Sequence, residues 1–275
     1  MLLILENFYF KAADLMVQYY FLATILPDIQ LGKAPELEEE EFLNLLDDNL
    51  STRDKEKVKA LRWLYDIYNI RAYRLGLPLD PWGNLNEEQL QEALLIGRGA
   101  LPEYLHKALG IDDEDKTIET DFPYLLDLYF RETEHEFTGF VSLYVDFERS
   151  LRLILAAYRA KKLGRDLRKE MQLKDPDEEI VAQLIAFQDA KTFEPPPEFE
   201  DLKPILDRDY SSPKAFQKAL IEYRFMKLDS MIDLNVFSSD RILFYLIQYI
   251  LADKWIKLDS LQGKHTIETI TGKVV

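Results

Sequence analysis

Two stretches repeat one spacing of a carboxylate and an imidazole, Glu103-Tyr-Leu-His106 and Glu132-Thr-Glu-His135. On a helix, residues three apart share a face. In di-iron carboxylate bundles, two Glu-x-x-His pairs and two further glutamates hold the metals. Here the spacing carries little weight. The chain has 50 Asp and Glu in 275 residues and only three histidines, so a glutamate three positions before a histidine arises from composition alone. The first pair lies in a short segment between Pro102 and Gly110, and the second sits among other acids in Glu132–Glu136, a pattern that suits a solvated face. The expectation is therefore no catalytic residue, no metal and no cofactor. Glu103, His106, Glu132 and His135 are kept as the ligand set of an alternative di-metal carboxylate enzyme.

Other catalytic signatures are missing from the sequence. Gly97-Arg-Gly99 lacks the downstream Gly-Lys-Ser/Thr that lets a P-loop cradle phosphates. There is no G-x-S-x-G, no H-E-x-x-H and no cysteine. Aromatic residues such as Trp63, Tyr65, Tyr68 and Tyr73, or Tyr245, Tyr249 and Trp255, recur at core spacing, which predicts packing rather than a cofactor box.

The elements that must carry these residues read as helices. Ser51-Thr-Arg-Asp54 has the form of a capping box, and Val58, Leu61, Leu64, Tyr65 and Tyr68 follow at helical spacing. That helix stops near Gly76-Leu-Pro78. Asn86-Glu-Glu-Gln89 opens a helix that ends near Gly97, and a short one runs from Pro102 to Leu109. Phe122–Arg131 is helical, and a long pattern covers about Phe137–Leu167. Asp175-Pro176 and Ser212-Pro213 each place a capping residue before a first-turn proline. The last helix runs from Ser239 to about Leu261 and is apolar on almost every side, so it should be surrounded by others. Strand signals are confined to Tyr19–Ile25 and Thr266–Val275. Residues 193–213, with Pro195-Pro-Pro197, form a Pro-rich loop. The fold class is mostly α, an elongated multi-helix body. Three helix ends, IYNIRAYRLG at Gly76, LAAYRAKKLG at Gly164 and KWIKLDSLQG at Gly263, look alike and suggest three pseudo-repeated units, although a glycine after a helix is also ordinary capping.

Composition bounds the partners. A net charge of −16 opposes binding to nucleic acid and to an anionic bilayer, so no nucleic-acid partner is expected. An apolar content of 47% can offset chain entropy and argues against disorder. No apolar run reaches the roughly 20 residues of a membrane span. Charge is segregated along the chain. Arg149–Lys169 carries eight Lys or Arg against Asp166 alone, and Asp28–Asp48 carries eight acids against Lys33 alone. Acid runs also occupy Asp112–Glu148 and Asp175–Asp201. These are either solvated faces paired within the fold or contact surfaces for partners of opposite charge.

The stretch Tyr19-Tyr-Phe-Leu-Ala-Thr-Ile-Leu-Pro27, with its acidic lead into Glu41-Phe42-Leu43, resembles the start of a bacterial family of unknown function encoded among the genes of V-type ATPases in chlamydiae, spirochaetes and Bacteroidetes. The resemblance runs from Met16 to the C-terminus. It implies that residues 16–275 form one helical domain and that residues 1–15 are an N-terminal extension. That family is similar to the V-type ATPase component named C in archaea and bacteria and d in eukaryotes, an all-α protein of three pseudo-repeated units forming a funnel. The implied role is a non-catalytic connector that couples the central stalk to the membrane rotor ring, touching the membrane only through its partners. Its place would be the cytoplasmic side of the inner membrane. A helical adaptor or assembly factor for that ATPase is the alternative. The resemblance supplies no catalytic residues. Within this reading Tyr19–Leu26 is buried material that staples the N-terminus, and Pro27 turns the chain toward the acidic helix.

Overall fold

The computed structural model describes residues 19–96, 101–109, 122–171, 178–188, 190, 192–232 and 235–259. Among them there are helices and no strand, which bears out the mostly α class but not the strand signal at Tyr19–Ile25. The α-helices are α1 (Tyr20–Ile25), α2 (Glu39–Asn49), α3 (Thr52–Arg74), α4 (Glu87–Ile96), α5 (Glu103–Leu109), α6 (Phe122–Glu136), α7 (Phe140–Lys162), α8 (Leu167–Glu170), α9 (Glu179–Ala186), α10 (Lys203–Asp207), α11 (Pro213–Leu228) and α12 (Ser239–Asp259). Outside the described residues lie the proposed extension with Met16, the Gly97–Gly99 stretch, the Asp175-Pro176 cap, Gly263, His265 and the Thr266–Val275 segment. The chain divides into two compact units. One comprises the residues up to Val58 and from Tyr210 onward, the other Lys59–Asp209.

In the first unit, α12 fits the expectation of a surrounded helix. Ile242, Leu243, Phe244, Leu246, Ile247, Ile250, Leu251 and Ala252 are all buried. Helix α11 packs along it with Leu220, Ile221 and Tyr223. Helix α2 turns Phe42 and Leu46 inward, and the Phe42 ring stacks on Tyr249 with centroids 4.7 Å apart. The Tyr249 hydroxyl donates to the Leu37 carbonyl, which fixes the loop ahead of α2.

The Tyr19–Ile25 segment is not a strand. It forms one and a half turns of helix, and the burial expected of it is only partly realised. Tyr19 and Leu22 are buried, whereas Tyr20, Phe21 and Ile25 are about half exposed. Six residues give few local backbone hydrogen bonds, so tertiary contacts decide the conformation. The Tyr19 N–H donates to the Phe237 carbonyl at 2.8 Å, and the Tyr20 ring lies 4.5 Å from that of Phe237. The Tyr19 hydroxyl donates to Asp54 Oδ2 at 2.5 Å. Asp54 also accepts from Ser51 Oγ at 2.8 Å and from Lys57 Nζ at 2.7 Å, and Lys57 reaches on to Ser239 Oγ. Burial pushes the Asp54 carboxyl upward, but these three hydrogen bonds outweigh it and hold the group below the usual carboxylate range. The start of α1 is thus stapled at Tyr19, by a buried phenol–carboxylate–ammonium chain more than by apolar contact. Ser51 caps α3 as expected, its Oγ accepting from the Asp54 N–H at 3.2 Å. Ser212 caps α11 in the same way, with Pro213 in the first turn.

In the second unit α6 and α7 form the main helix pair, α5 packs on α6, and α8 and α9 pack on α7. The Pro-rich segment is not a bare loop. It contains a 3-10 turn, Pro197–Leu202, followed by α10, and it buries Leu202 and Leu206. Helices α3 and α7 end alike. Gly76 and Gly164 both adopt left-handed backbone (φ +61° and +63°). In both, the next residue's N–H closes a six-residue ring, Leu77 to the Ala72 carbonyl at 2.9 Å and Arg165 to Ala160 at 2.8 Å. This is the Schellman closure that glycine permits without a Cβ penalty, and it accounts for the likeness of these two ends.

Candidate interaction surfaces

The described residues bury five polar side chains to near-complete exclusion from solvent: Asp54, Asp66, Asn69, Thr133 and Glu148. Each is spent on the scaffold. Asp54 holds the start of α1, as above. Asp66 and Asn69, one turn apart on α3, clamp the turn that precedes α4. The Asp66 carboxylate accepts from the Asn84 N–H at 2.8 Å, the Asn84 side-chain amide at 2.9 Å and the Leu85 N–H at 3.0 Å. Asn69 pairs with the Asp80 backbone in both directions, donating at 2.8 Å and accepting at 2.7 Å. Arg62, one turn earlier, donates to the carbonyls of Trp82 (3.1 Å) and Gly83 (2.5 Å). Trp82 is fully buried in this turn. Tyr104 on α5 is hydrogen-bonded to Thr133 on α6, and burial raises its phenol well above the usual range.

Asp66 gives this clamp a pH signature. Burial pushes its carboxyl up to about 6 from a model-peptide value of 3.8, with the Asn84 and Leu85 donors offsetting part of the rise. The native state therefore holds this proton more tightly than the unfolded chain does. The contribution is complete below the unfolded value and is lost as pH rises through about 6, a difference of the order of 3 kcal/mol from this group. A carboxyl carbon-13 NMR titration is expected to show an Asp66 midpoint near pH 6. A midpoint at about 4, the ordinary aspartate value, would contradict it.

Glu148 and Arg152 form an ion pair at 2.8 Å, one turn apart on α7, with Glu148 almost wholly buried. Arg152 also donates to the Tyr68 hydroxyl of α3, and its guanidinium lies 5.3 Å from the Tyr68 ring and 5.8 Å from that of Phe130. Arg149 joins three elements, 2.7 Å from Glu178 and 3.9 Å from Asp127. Sequence reading missed both roles. The basic run Arg149–Lys169 reads as one face, but Arg149 and Arg152 are internal ties, and Lys161 donates to the Gln188 and Ala190 carbonyls beside α9. The only forward signal was Glu148 four residues before Arg152, an ordinary helical pairing.

The sequence-predicted ligands do not come together as a site. Glu103 is exposed and paired with Lys107 at 2.5 Å, which holds its carboxyl below the usual range. His106 is partly exposed, and Glu132 and His135 are exposed on α6. Among the described residues no group of three or more His, Asp or Glu adopts an arrangement that could hold a metal ion. Nor is any described helix long and apolar enough to cross a membrane.

Two charged surfaces remain. In the first unit the cap residue Glu38 and, on α2, Glu40, Glu41, Asn44, Leu45 and Asp48 form an open, mostly acidic surface, largely turned away from Phe42 and Leu46. In the second unit, Arg159, Lys162, Arg165, Arg168 and Lys169 are exposed around the end of α7 and along α8. Leu163, 63% exposed, stands among them, and Phe187 is also exposed. Next to it lies a cleft of about 330 Å³, with Ala157, Leu184, Phe187 and Phe193 on its walls and Lys161, Arg165, Asp166 and Glu194 also lining it.

These features define an all-α protein of two helical units whose buried polar groups are internal ties and whose outer charge is segregated by element. The chain belongs to the family described as protein of unknown function (DUF2764), which matches residues 16–275. It is similar to an uncharacterized protein of Chlamydia pneumoniae, 25% identical over 248 residues that cover 86% of this chain and 91% of the relative. Uncharacterized proteins of Chlamydia muridarum and Chlamydia trachomatis are each 23% identical over 257 residues, covering 92% of this chain and 97% of theirs. No solved structure matches the chain.

Proposed function

We propose that this protein is a non-catalytic helical connector whose outer charges are contacts for partner proteins. The observation that supports this best is the use made of its buried polar side chains. Asp54, Asp66, Asn69, Thr133 and Glu148 are each engaged in holding helices or turns in place. Such networks tie the elements within each unit together, although Asn84 Oδ1 and Arg152 Nε are buried there without a hydrogen-bond partner, and firm local packing is what a part that transmits force requires. The complex we assign to it is a V-type ATPase, on the resemblance of Tyr19–Pro27 and its acidic lead to a family encoded with those genes. There it would couple the central stalk to the membrane rotor ring at the cytoplasmic face, the acidic outer side of α2 meeting a basic partner segment.

The test is purification of an affinity-tagged copy, expressed from its own locus, in mild detergent. Recovery with ATPase stalk and ring proteins at a fixed ratio is the expected result. Substoichiometric recovery, with full assembly in a deletion strain regained only slowly, would instead identify an adaptor or assembly factor. If deletion leaves assembly and ion transport unchanged and no ATPase component is recovered, the assignment fails.

A further inference from the structure

We propose that the end of α7 is a docking site for an acidic segment of a partner protein, one that carries a large apolar side chain as its anchor. The inference rests on the connector reading only in requiring a protein partner, and it holds whatever complex that partner belongs to. The first observation is the sorting of the basic run. Once Arg149, Arg152 and Lys161 are spent inside the unit, the cations left at the surface are Arg159, Lys162, Arg165, Arg168 and Lys169. Arg165 is partly offset by Glu170 at 3.3 Å. Arg159 stands four positions before Leu163, the C-cap of α7, so one cation shares the face of this exposed leucine.

The second observation is that the cluster stands beside a cleft of mixed lining, in which Phe187 and Phe193 supply apolar surface between polar side chains. Gly164 ends α7 with left-handed backbone, and a Cβ there would meet nothing within 4 Å. The chain turns at this point into α8, and the cleft opens between that turn, α9 and Phe193. Phe187 lines this concavity and Leu163 precedes Gly164 at its edge, so exposed apolar surface from the ends of two helices stands beside it, among a rim in which Lys161 and Arg165 alternate with Asp166 and Glu194. Apolar anchors inside a charged rim are the usual anatomy of a protein contact.

Charge decides the occupant. The whole chain carries −16. Fields at physiological salt fall off over roughly 8 Å. A short acidic segment feels the local balance, in which five surface cations outnumber the nearby Asp166, Glu170 and Glu194, whereas a bilayer or a nucleic acid extends over the acidic remainder of the surface and is repelled there.

The experiment places the photo-crosslinking residue p-benzoylphenylalanine at position 163 of the full chain in the native host, with a control at Leu95, another exposed leucine of the same unit. The expected result is an adduct at 163, absent at 95, whose partner peptide, mapped by mass spectrometry, is rich in Asp and Glu around an aromatic or aliphatic residue. Its yield should fall roughly tenfold when Lys162, Arg168 and Lys169 are changed to glutamate. It should fall similarly in cells lysed and irradiated at about 0.5 M salt, which screens charge without altering the chain. An adduct to lipid or nucleic acid, a partner peptide without acidic character, an adduct of equal yield at 95, a yield insensitive to both charge reversal and salt, or no adduct would each overturn the proposal. An acidic partner unrelated to the ATPase would uphold the docking site and sink the assigned complex. Recovery of the ATPase with no adduct at 163 would do the reverse.

Discussion

Replacing Gly83 with alanine is expected to cost the second unit about 3 kcal/mol, near the upper end for an overpacked site, because it breaks the clamp as well. A Cβ built at position 83 falls 2.5 Å from Asn69 Nδ2 and 2.8 Å from Asp66 Oδ1. Neither neighbour is a loose side-chain tip. Asn69 is held by two hydrogen bonds to Asp80, and Asp66 by three to Asn84 and Leu85. To admit the methyl group, one of them must move off its partners and leave a buried donor or acceptor unpaired. Asp66→Ala should cost a similar amount, since it orphans the N–H groups of Asn84 and Leu85. The two changes act on one network, so the double variant should cost less than their sum. Urea unfolding followed by tryptophan fluorescence, to which buried Trp82 contributes with Trp63 and Trp255, and by circular dichroism reports both. A Gly83→Ala variant within about 0.5 kcal/mol of wild type, the range of an ordinary surface change, would mean that the turn is free to shift and does not clamp α3.

The second large effect concerns Glu148 and Arg152. Glu148→Ala is expected to cost about 3 kcal/mol, the lower end for breaking a buried pair, because the guanidinium it leaves behind sits beside Tyr68 and Phe130 without its counter-charge, although Arg152 keeps 27% of its side chain exposed. Arg152→Met should cost less, since Met fills much of the same space and Glu148 can lose its charge by taking a proton. The informative variant is the pair Glu148→Leu with Arg152→Met. A buried ion pair gains little over apolar residues of like volume, so the double variant should be more stable than Glu148→Ala alone. Thermal and urea unfolding of the three variants measure this. A double variant as damaged as the sum of the single changes would mean that Tyr68, deprived of its Arg152 partner, carries the energy instead of the pair.

These two sites also mark where reading the sequence stops. Helix ends were legible because they depend on residues within one turn. Ser51 reaches Asp54, Ser212 reaches Ala215, and Gly76 and Gly164 close their own helices. The length and apolar character of α12 were legible for the same reason, since period and composition suffice. The Tyr19–Ile25 stretch reads as extended and folds as helix. Its aromatic and β-branched residues favour strands locally, but its conformation follows from Phe237 and from Asp54, 35 residues away from Tyr19. The basic run Arg149–Lys169 was legible as a charge and illegible as a surface.

Composition, spacing and capping chemistry determined by themselves that this chain is helical, where its main helices start and stop, and that it carries blocks of opposite charge. Only tertiary structure decided which charged groups face outward, that Glu103, His106, Glu132 and His135 do not assemble into a ligand set, and that Asp66, Asn69 and Arg62 hold the turn at Gly83. The physical reason is range. A helix and its caps are settled by hydrogen bonds between near neighbours, while the fate of a buried charge depends on which distant groups the fold brings within about 3 Å of it.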